Sequence, residues 1–125
     1  VYFKDSGLLH ALIGIEDKKK LELDPRLGAF WEGFALEEII RVFQAPKENC
    51  YFWATHADAE LDLLLFKNNK RLGFEFKFTD NPRVTKSMHI AMEDLKLDHL
   101  ALIYPGDLIY PLKENITVYG LQTIT

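Results

Sequence analysis

The strongest feature of the hydrophobic pattern is a pair of apolar runs, residues 61–66 and 72–78, on either side of a polar stretch at residues 67–71. Asn68 and Asn69 tolerate the positive φ that a tight hairpin needs, so the pattern predicts two antiparallel strands joined by a short turn. Strand side chains alternate, which puts Glu75 and Lys77 on one face and Phe74, Phe76 and Phe78 on the other. Charges inside runs this apolar are costly unless they are paired or bound to metal. A cross-strand ion pair on a solvated face would account for Glu75 and Lys77 alone. Asp62 on the neighbouring strand changes the picture, because two carboxylates and an ammonium can then meet at one place.

The rest of the chain supplies a frame for that hairpin. Residues 1–4 read as a short strand or the end of a linker. Asp5 or Ser6 can cap a helix over residues 7–15, with Leu8, Leu9, Leu12 and Ile13 on its apolar side. Residues 16–24 are charged and read as a loop. Residues 25–44 read as the main helix. With Glu32 at zero on a wheel of about 100° per residue, Leu36, Ile39 and Phe43 fall within about 40° of it, and Ala35, Ile40 and Val42 within about 80°. Glu37, Glu38 and Arg41 fall on the opposite side, as surface charges. Glu32 is therefore expected at the centre of the stripe that faces the sheet, while Phe30, Trp31 and Phe34 are expected to be packing residues.

Pro46 is expected to end that helix. Residues 50–55 are aromatic and β-branched, a strand, and residues 56–59 are a loop or bulge. Asp80, Asn81 and Pro82 mark a turn. Residues 84–95 keep helical spacing through Val84, Met88, Ala91, Met92 and Leu95. Residues 100–104 form a buried strand stopped by Pro105 and Gly106, and residues 108–112 and 116–119 form shorter strands at the far edge. A meander followed by a helical crossover predicts an α/β domain, a mixed sheet with helices on its faces. Residues 1–24 are then an N-terminal helix and linker, and residues 25–125 the domain itself.

Composition narrows the class. The length, 125 residues, and a hydrophobic content of 48% fit one domain with its own core. No apolar run approaches membrane-spanning length. One cysteine, Cys50, leaves no internal disulfide and suits a reducing cytoplasm. Four scattered histidines and no Cys-x-x-Cys pattern argue against zinc. The chain opens directly on an apolar segment without Met, and is expected to be a piece of a longer protein. Its net charge of −4 is unlike that of a generally basic nucleic-acid binder. The charge is uneven, however. Residues 67–89 carry six basic side chains (Lys67, Lys70, Arg71, Lys77, Arg83, Lys86) against Glu75 and Asp80, a net +4 that leaves −8 for the remainder.

Glu32, Asp62 and Glu75 would offer a hard oxygen site for Mg²⁺ or Mn²⁺, with the Phe76 carbonyl as a further donor. Lys77 beside them can orient a water or neutralise developing charge. No Ser or Cys has a convincing His partner for nucleophilic catalysis. No Gly-x-x-x-x-Gly-Lys loop occurs, so ATP hydrolysis is not expected of this chain alone.

Asp62, a turn, then Glu75-Phe76-Lys77, preceded by a helix bearing Glu32, resembles the PD-(D/E)XK nuclease superfamily. A longer match runs through Tyr2-Phe3-Lys4-Asp5-Ser6-Gly7-Leu8-Leu9, Gly28-Ala29-Phe30-Trp31-Glu32-Gly33-Phe34-Ala35-Leu36-Glu37, Tyr51-Phe52-Trp53, Glu60-Leu61-Asp62 and Phe74-Glu75-Phe76-Lys77. It resembles the C-terminal domain of a group of bacterial and archaeal AAA-type ATPases, and it covers nearly the whole chain. The resemblance implies a restriction-endonuclease-like mixed sheet flanked by helices, with an ATPase module elsewhere in the full protein. It also implies Glu32, Asp62, Glu75 and Lys77 as catalytic residues, and Mg²⁺ or Mn²⁺ on the carboxylates and the Phe76 carbonyl. DNA would be the partner, with Lys70, Arg71, Arg83 and Lys86 on its phosphates. The superfamily also contains members that only bind nucleic acid or scaffold. Group members often carry an arginine soon after the aromatic strand. Here Ala54-Thr55-His56 stands instead, so His56 would have to supply that phosphate contact.

Overall fold

A computed structural model describes residues 25–55 and 59–124. The expected N-terminal helix, its linker and His56 lie outside the described residues. Helix α1 (Pro25–Val42) is followed by a single 3-10 turn and three strands, β1 (Cys50–Ala54), β2 (Glu60–Lys67) and β3 (Lys70–Phe76). Helix α2 (Lys86–Asp94) leads to β4 (His99–Tyr104), β5 (Ile109–Lys113), β6 (Ile116–Gly120) and a last short helix α3 (Leu121–Ile124). The six strands form one mixed sheet in the order β1-β2-β3-β4-β6-β5. The meander β1-β2-β3 is antiparallel, and α2 carries the chain across to β4, which lies parallel to β3. Strand β6 slots in parallel to β4, leaving β5 at the edge.

The hairpin between β2 and β3 closes through Asn68 and Asn69, at φ 54° and 63°, with Lys67 opposite Lys70. Two left-handed residues in a two-residue loop match the right-handed twist of the flanking strands, and Asn accepts that conformation cheaply. Central β4 is buried on both faces. Leu100 and Leu102 join the core under α2, while Ala101 and Ile103 join the core under α1. A near-continuous apolar run is what a parallel strand covered on both sides requires.

Both long helices end on a left-handed residue rather than on a proline. At the end of α1, Gln44 has φ 52° and the Ala45 N–H donates to the Ile40 carbonyl at 3.1 Å. At the end of α2, Lys96 has φ 51° and the Leu97 N–H donates to the Met92 carbonyl at 3.1 Å. Each is a Schellman closure that satisfies carbonyls the helix leaves unpaired. Pro46 therefore follows the end of α1 but does not cause it. Helix α2 starts later than its apolar spacing suggests, because Thr85 is the N-cap and its hydroxyl accepts from the Met88 N–H at 3.2 Å.

The buried face of α1 is rotated from the expected one. Trp31, Phe34, Ala35 and Ile39 are each about fully buried, at 0–1% exposure, whereas Glu32 is only half-buried. The stripe is thus centred about 80° from Glu32, because Trp31 and Phe34 bury more apolar area than the aliphatic residues on the other flank. The rotation carries Glu38 inward as well. Its side chain is 13% accessible and accepts from Arg41 Nη2 at 2.6 Å, while Glu37 remains exposed as expected.

Candidate functional site

The sheet splits at Asp62. Tyr51 is paired with Leu64 but Trp53 with Leu61, so β2 holds one residue more than β1 across this interval. An extra residue of this kind is a bulge, and it re-aims the side chains around it. Leu61 is thereby turned to the same core as Leu64, under α2. On the other side of β2, the last paired residues are Leu63 and Phe74. Beyond them β3 stays in the sheet, with Glu75 opposite Leu102 and Phe76 opposite Ile103 on β4.

Two carboxylates occupy the gap that opens. Glu75 Oε1 accepts from the Asp62 N–H at 3.2 Å, and Asp62 Oδ2 accepts from the Phe76 N–H at 2.9 Å. Side chains thus satisfy backbone donors that ladder carbonyls would otherwise take, which keeps the fork from leaving buried N–H groups unpaired. Glu75 is 4% exposed, the sole charged residue among the buried ones described. Lys77 Nζ stands 4.0 Å from Glu75 Oε2 and reaches toward solvent with a side chain 43% accessible. Burial, then the charge of Asp62, push Glu75 up to about 8, against the pull of Lys77 and of the Asp62 N–H.

Glu32 comes to the same end of the sheet from α1. Burial and then the charge of Asp62 raise its pKa, while Lys77 and a hydrogen bond from the Phe78 backbone oppose the rise. Its helix is held there by packing, since Trp31 lies against Phe78 with ring centroids 5.7 Å apart. Among the described residues, no three His, Cys, Asp or Glu side chains are arranged as a metal cage. What ties Glu32 to the pair is its charge coupling to Asp62.

The first turn of α2 is clipped to the same end. Ser87 Oγ accepts from the Glu60 N–H at 2.8 Å and donates to the Glu60 carbonyl at 3.1 Å. Lys86, next to Ser87, and Arg83, just before the helix, are exposed at the end of α2 that this clip ties to β2. Lys70 and Arg71 stand at the other end of β3. They begin β3, and Arg71 lies four residues from Glu75, about 13 Å along an extended strand. Arg71 also has structural work there, because its Nη1 donates to the Leu95 carbonyl at 2.9 Å, at the C-terminus of α2. The basic segment is thus spread between the two ends of the sheet. The bulge and the Ser87 clip carry no sequence signature of their own; the run of three leucines at residues 63–65, apolar on both faces, is the nearest hint of the bulge.

A six-stranded mixed α/β domain with a buried glutamate paired to a half-buried aspartate at a strand fork is the class that these features define. Residues 27–124 match the family described as "Domain of unknown function (DUF4143)", and the chain belongs to that family. It is 45% identical over 124 residues to the "Uncharacterized protein Rv2008c" of Mycobacterium tuberculosis and to the "Uncharacterized protein Mb2031c" of Mycobacterium bovis. The match covers 99% of this chain but 28% of each relative's length. No solved structure matches the chain. Among the described residues no helix is long and apolar enough to cross a membrane.

Proposed function

We propose that this domain is a PD-(D/E)XK-like, divalent-metal-dependent phosphodiesterase acting on DNA. The observation that carries the reading is the pairing of Asp62 with Glu75 at the fork, with Lys77 Nζ 4.0 Å from Glu75. Two carboxylates side by side, one of them buried, form a natural seat for a hard cation. The oxygen donor set of Asp62 and Glu75, with the Phe76 carbonyl and Glu32 near at hand, fits Mg²⁺ or Mn²⁺. Such an ion, when bound, lowers the pKa of a water and stabilises charge on a phosphate.

The chain's own residues have separable tasks in this reading. Asp62 and Glu75 hold the fork open and bind the ion. Glu32, tethered by the Phe78 backbone, adds negative charge from the helix side. Lys77, half-exposed at the rim, orients the attacking water or balances the charge that builds on the phosphate. Arg83 and Lys86, at the end of α2 that Ser87 ties to β2, are the basic side chains we assign to a phosphate backbone leaving the fork, with Lys70 and Arg71 further along it.

The test is cleavage of supercoiled plasmid and of single-stranded DNA with Mn²⁺ or Mg²⁺, by this domain and by the full-length protein. Domains of this family generally stand C-terminal to AAA-type ATPase modules, and the chain spans 28% of its relatives, so an ATPase partner in the same polypeptide would gate the activity. Metal-dependent cutting abolished by Asp62→Asn supports the reading. A second reading, a non-catalytic nucleic-acid- or protein-binding module of such an ATPase, is favoured by one observation: among the described residues no three-ligand metal cage is preset. Absence of cutting and of Mn²⁺ binding, even with the ATPase half present, would select it.

A further inference from the structure

Helix α1 stops at Val42, before it has covered the sheet face beneath it. At its end lies a cavity of about 350 Å³ whose walls include Phe43, Leu72, Phe74, Ala101, Tyr119 and Ile124. That volume falls at the lower end of the ~300–1,000 Å³ typical of small-molecule sites. One polar group interrupts the apolar wall. His99 lines the cavity, and its Nε2 is buried without a hydrogen-bond partner. An unpaired buried nitrogen costs free energy and asks for an explanation, such as a ligand that completes it. Burial holds the His99 ring below its ordinary pKa, which favours the neutral imidazole, with one nitrogen a donor and the other an acceptor.

The cavity continues into a second depression of about 430 Å³ that shares Val42, Phe43 and Leu72 with it and is rimmed by Lys67, Asn68 and Lys70. Leu72 is directly opposite His99, and Lys70 is two residues before Leu72 on the same strand. The basic rim therefore begins about 7 Å from the level of His99, on the same face of the sheet. Lys67 spends one ammonium hydrogen on the Phe43 carbonyl at 2.6 Å, which leaves two others. The basic rim stands at the end of β3 away from Asp62 and Glu75, and the cavity lies on the Phe74 side of the sheet, so this inference does not depend on the catalytic reading of those residues.

We propose that this pocket binds a small amphiphilic carboxylate: an apolar, ring-sized body in the cavity, a hydroxyl on His99 Nε2 and the carboxylate at the Lys67–Lys70 rim. The volume and apolar lining of the cavity suit the body, the orphan nitrogen the hydroxyl, and the two ammonium groups the acid.

Three probes separate these elements: 3-(4-hydroxyphenyl)propionate, 3-phenylpropionate, which lacks the hydroxyl, and 4-ethylphenol, which lacks the carboxylate. NMR titration of the full-length protein should show the first binding roughly 3- to 10-fold more tightly than either of the others, as expected for one hydrogen bond or one rim ion pair. His99→Phe should erase the preference for the hydroxyl and raise the Tm of the free protein, since the unpaired nitrogen is gone. Lys70→Gln, a surface change that leaves the fold intact, should erase the preference for the carboxylate. Ala101→Leu should fill the cavity and abolish binding of all three. Wild-type protein that binds none of the probes would overturn the proposal. Affinities indifferent to the hydroxyl, or unchanged by His99→Phe, would overturn the role of His99. Affinities indifferent to the carboxylate would remove the rim from the site.

Discussion

Asp62 and Glu75 hold β2 and β3 apart by exchanging places with the sheet's own carbonyls: Glu75 accepts from the Asp62 N–H at 3.2 Å, and Asp62 from the Phe76 N–H at 2.9 Å. The relationship makes each carboxylate both a structural clasp and a titratable group beside another one. That double duty sets the consequences of protonation, of metal and of mutation.

The sign of the pH dependence follows from Glu75. Its pKa rises from 4.5 to about 8 on folding, so between those values the native state holds a proton that the unfolded chain has released. Stability is therefore highest on the acid side of that window and falls as the pH climbs through it, by an amount on the order of a few kcal/mol. Thermal melts of the wild-type protein across this window should show a declining Tm, and Glu75→Gln should flatten the curve. Saturating Mn²⁺ should flatten it too, because a bound cation replaces the proton. A wild-type Tm that is level across the window would mean that Glu75 titrates as an ordinary carboxylate.

Glu32 and Glu37 differ by five positions and by their surroundings. Glu32 is half-buried and feels Asp62, whereas Glu37 is exposed. Glu32→Gln should weaken Mn²⁺ binding by about tenfold, the effect of losing one nearby charge worth ~1.4 kcal/mol. Glu37→Gln should leave it unchanged. Calorimetric titration of both variants decides the matter, and equal effects would place the metal away from α1.

Lys77 distinguishes chemistry from scaffolding. Lys77→Met removes a half-exposed ammonium, so stability should change by only about 0–1 kcal/mol. Mn²⁺ affinity should hold or rise, because a competing cation has left. DNA affinity should barely move, since one ammonium adds little to a contact spread over many phosphates. Cleavage, in contrast, should drop by about 10²-fold or more, the scale seen when a transition-state charge partner is removed. Robust cutting by this variant would take Lys77 out of the mechanism.

Arg71 and Arg83 should exchange roles relative to a simple basic patch. Arg71 caps the C-terminus of α2 through the Leu95 carbonyl, so Arg71→Ala should lower stability by about 1 kcal/mol. Arg83→Ala should leave the Tm alone and reduce the salt dependence of DNA binding by about one unit of slope. Melts and binding titrations at several salt concentrations, run on both variants, test the division of the basic segment between the two ends of the sheet.

Much of this fold is local, and so was legible in the residues. Asn68 and Asn69 dictate the hairpin by their tolerance of positive φ, and the spacing of Val84, Met88, Ala91 and Leu95 sets the crossover helix, within a residue or two of its ends. Alternation alone places Phe74 and Phe76 in the core and Glu75 on the other face. The rotation of α1 was not legible, because a helical wheel weighs each apolar residue by its angle, whereas packing weighs it by area, and Trp31 and Phe34 carried the face with them. The end of α1 at Gln44 depends on a backbone closure available to many side chains, which a following proline only accompanies. The placing of Lys70 and Arg71 far from Lys77 is a matter of strand length, invisible to a count of charges along the chain. Above all, the sequence determined that two carboxylates and a lysine lie on neighbouring strands. Only the tertiary structure decided that a one-residue bulge would part those strands at Asp62, because a bulge is chosen by the competition of Leu61, Leu63 and Leu64 for two cores at once, and no single residue states the outcome.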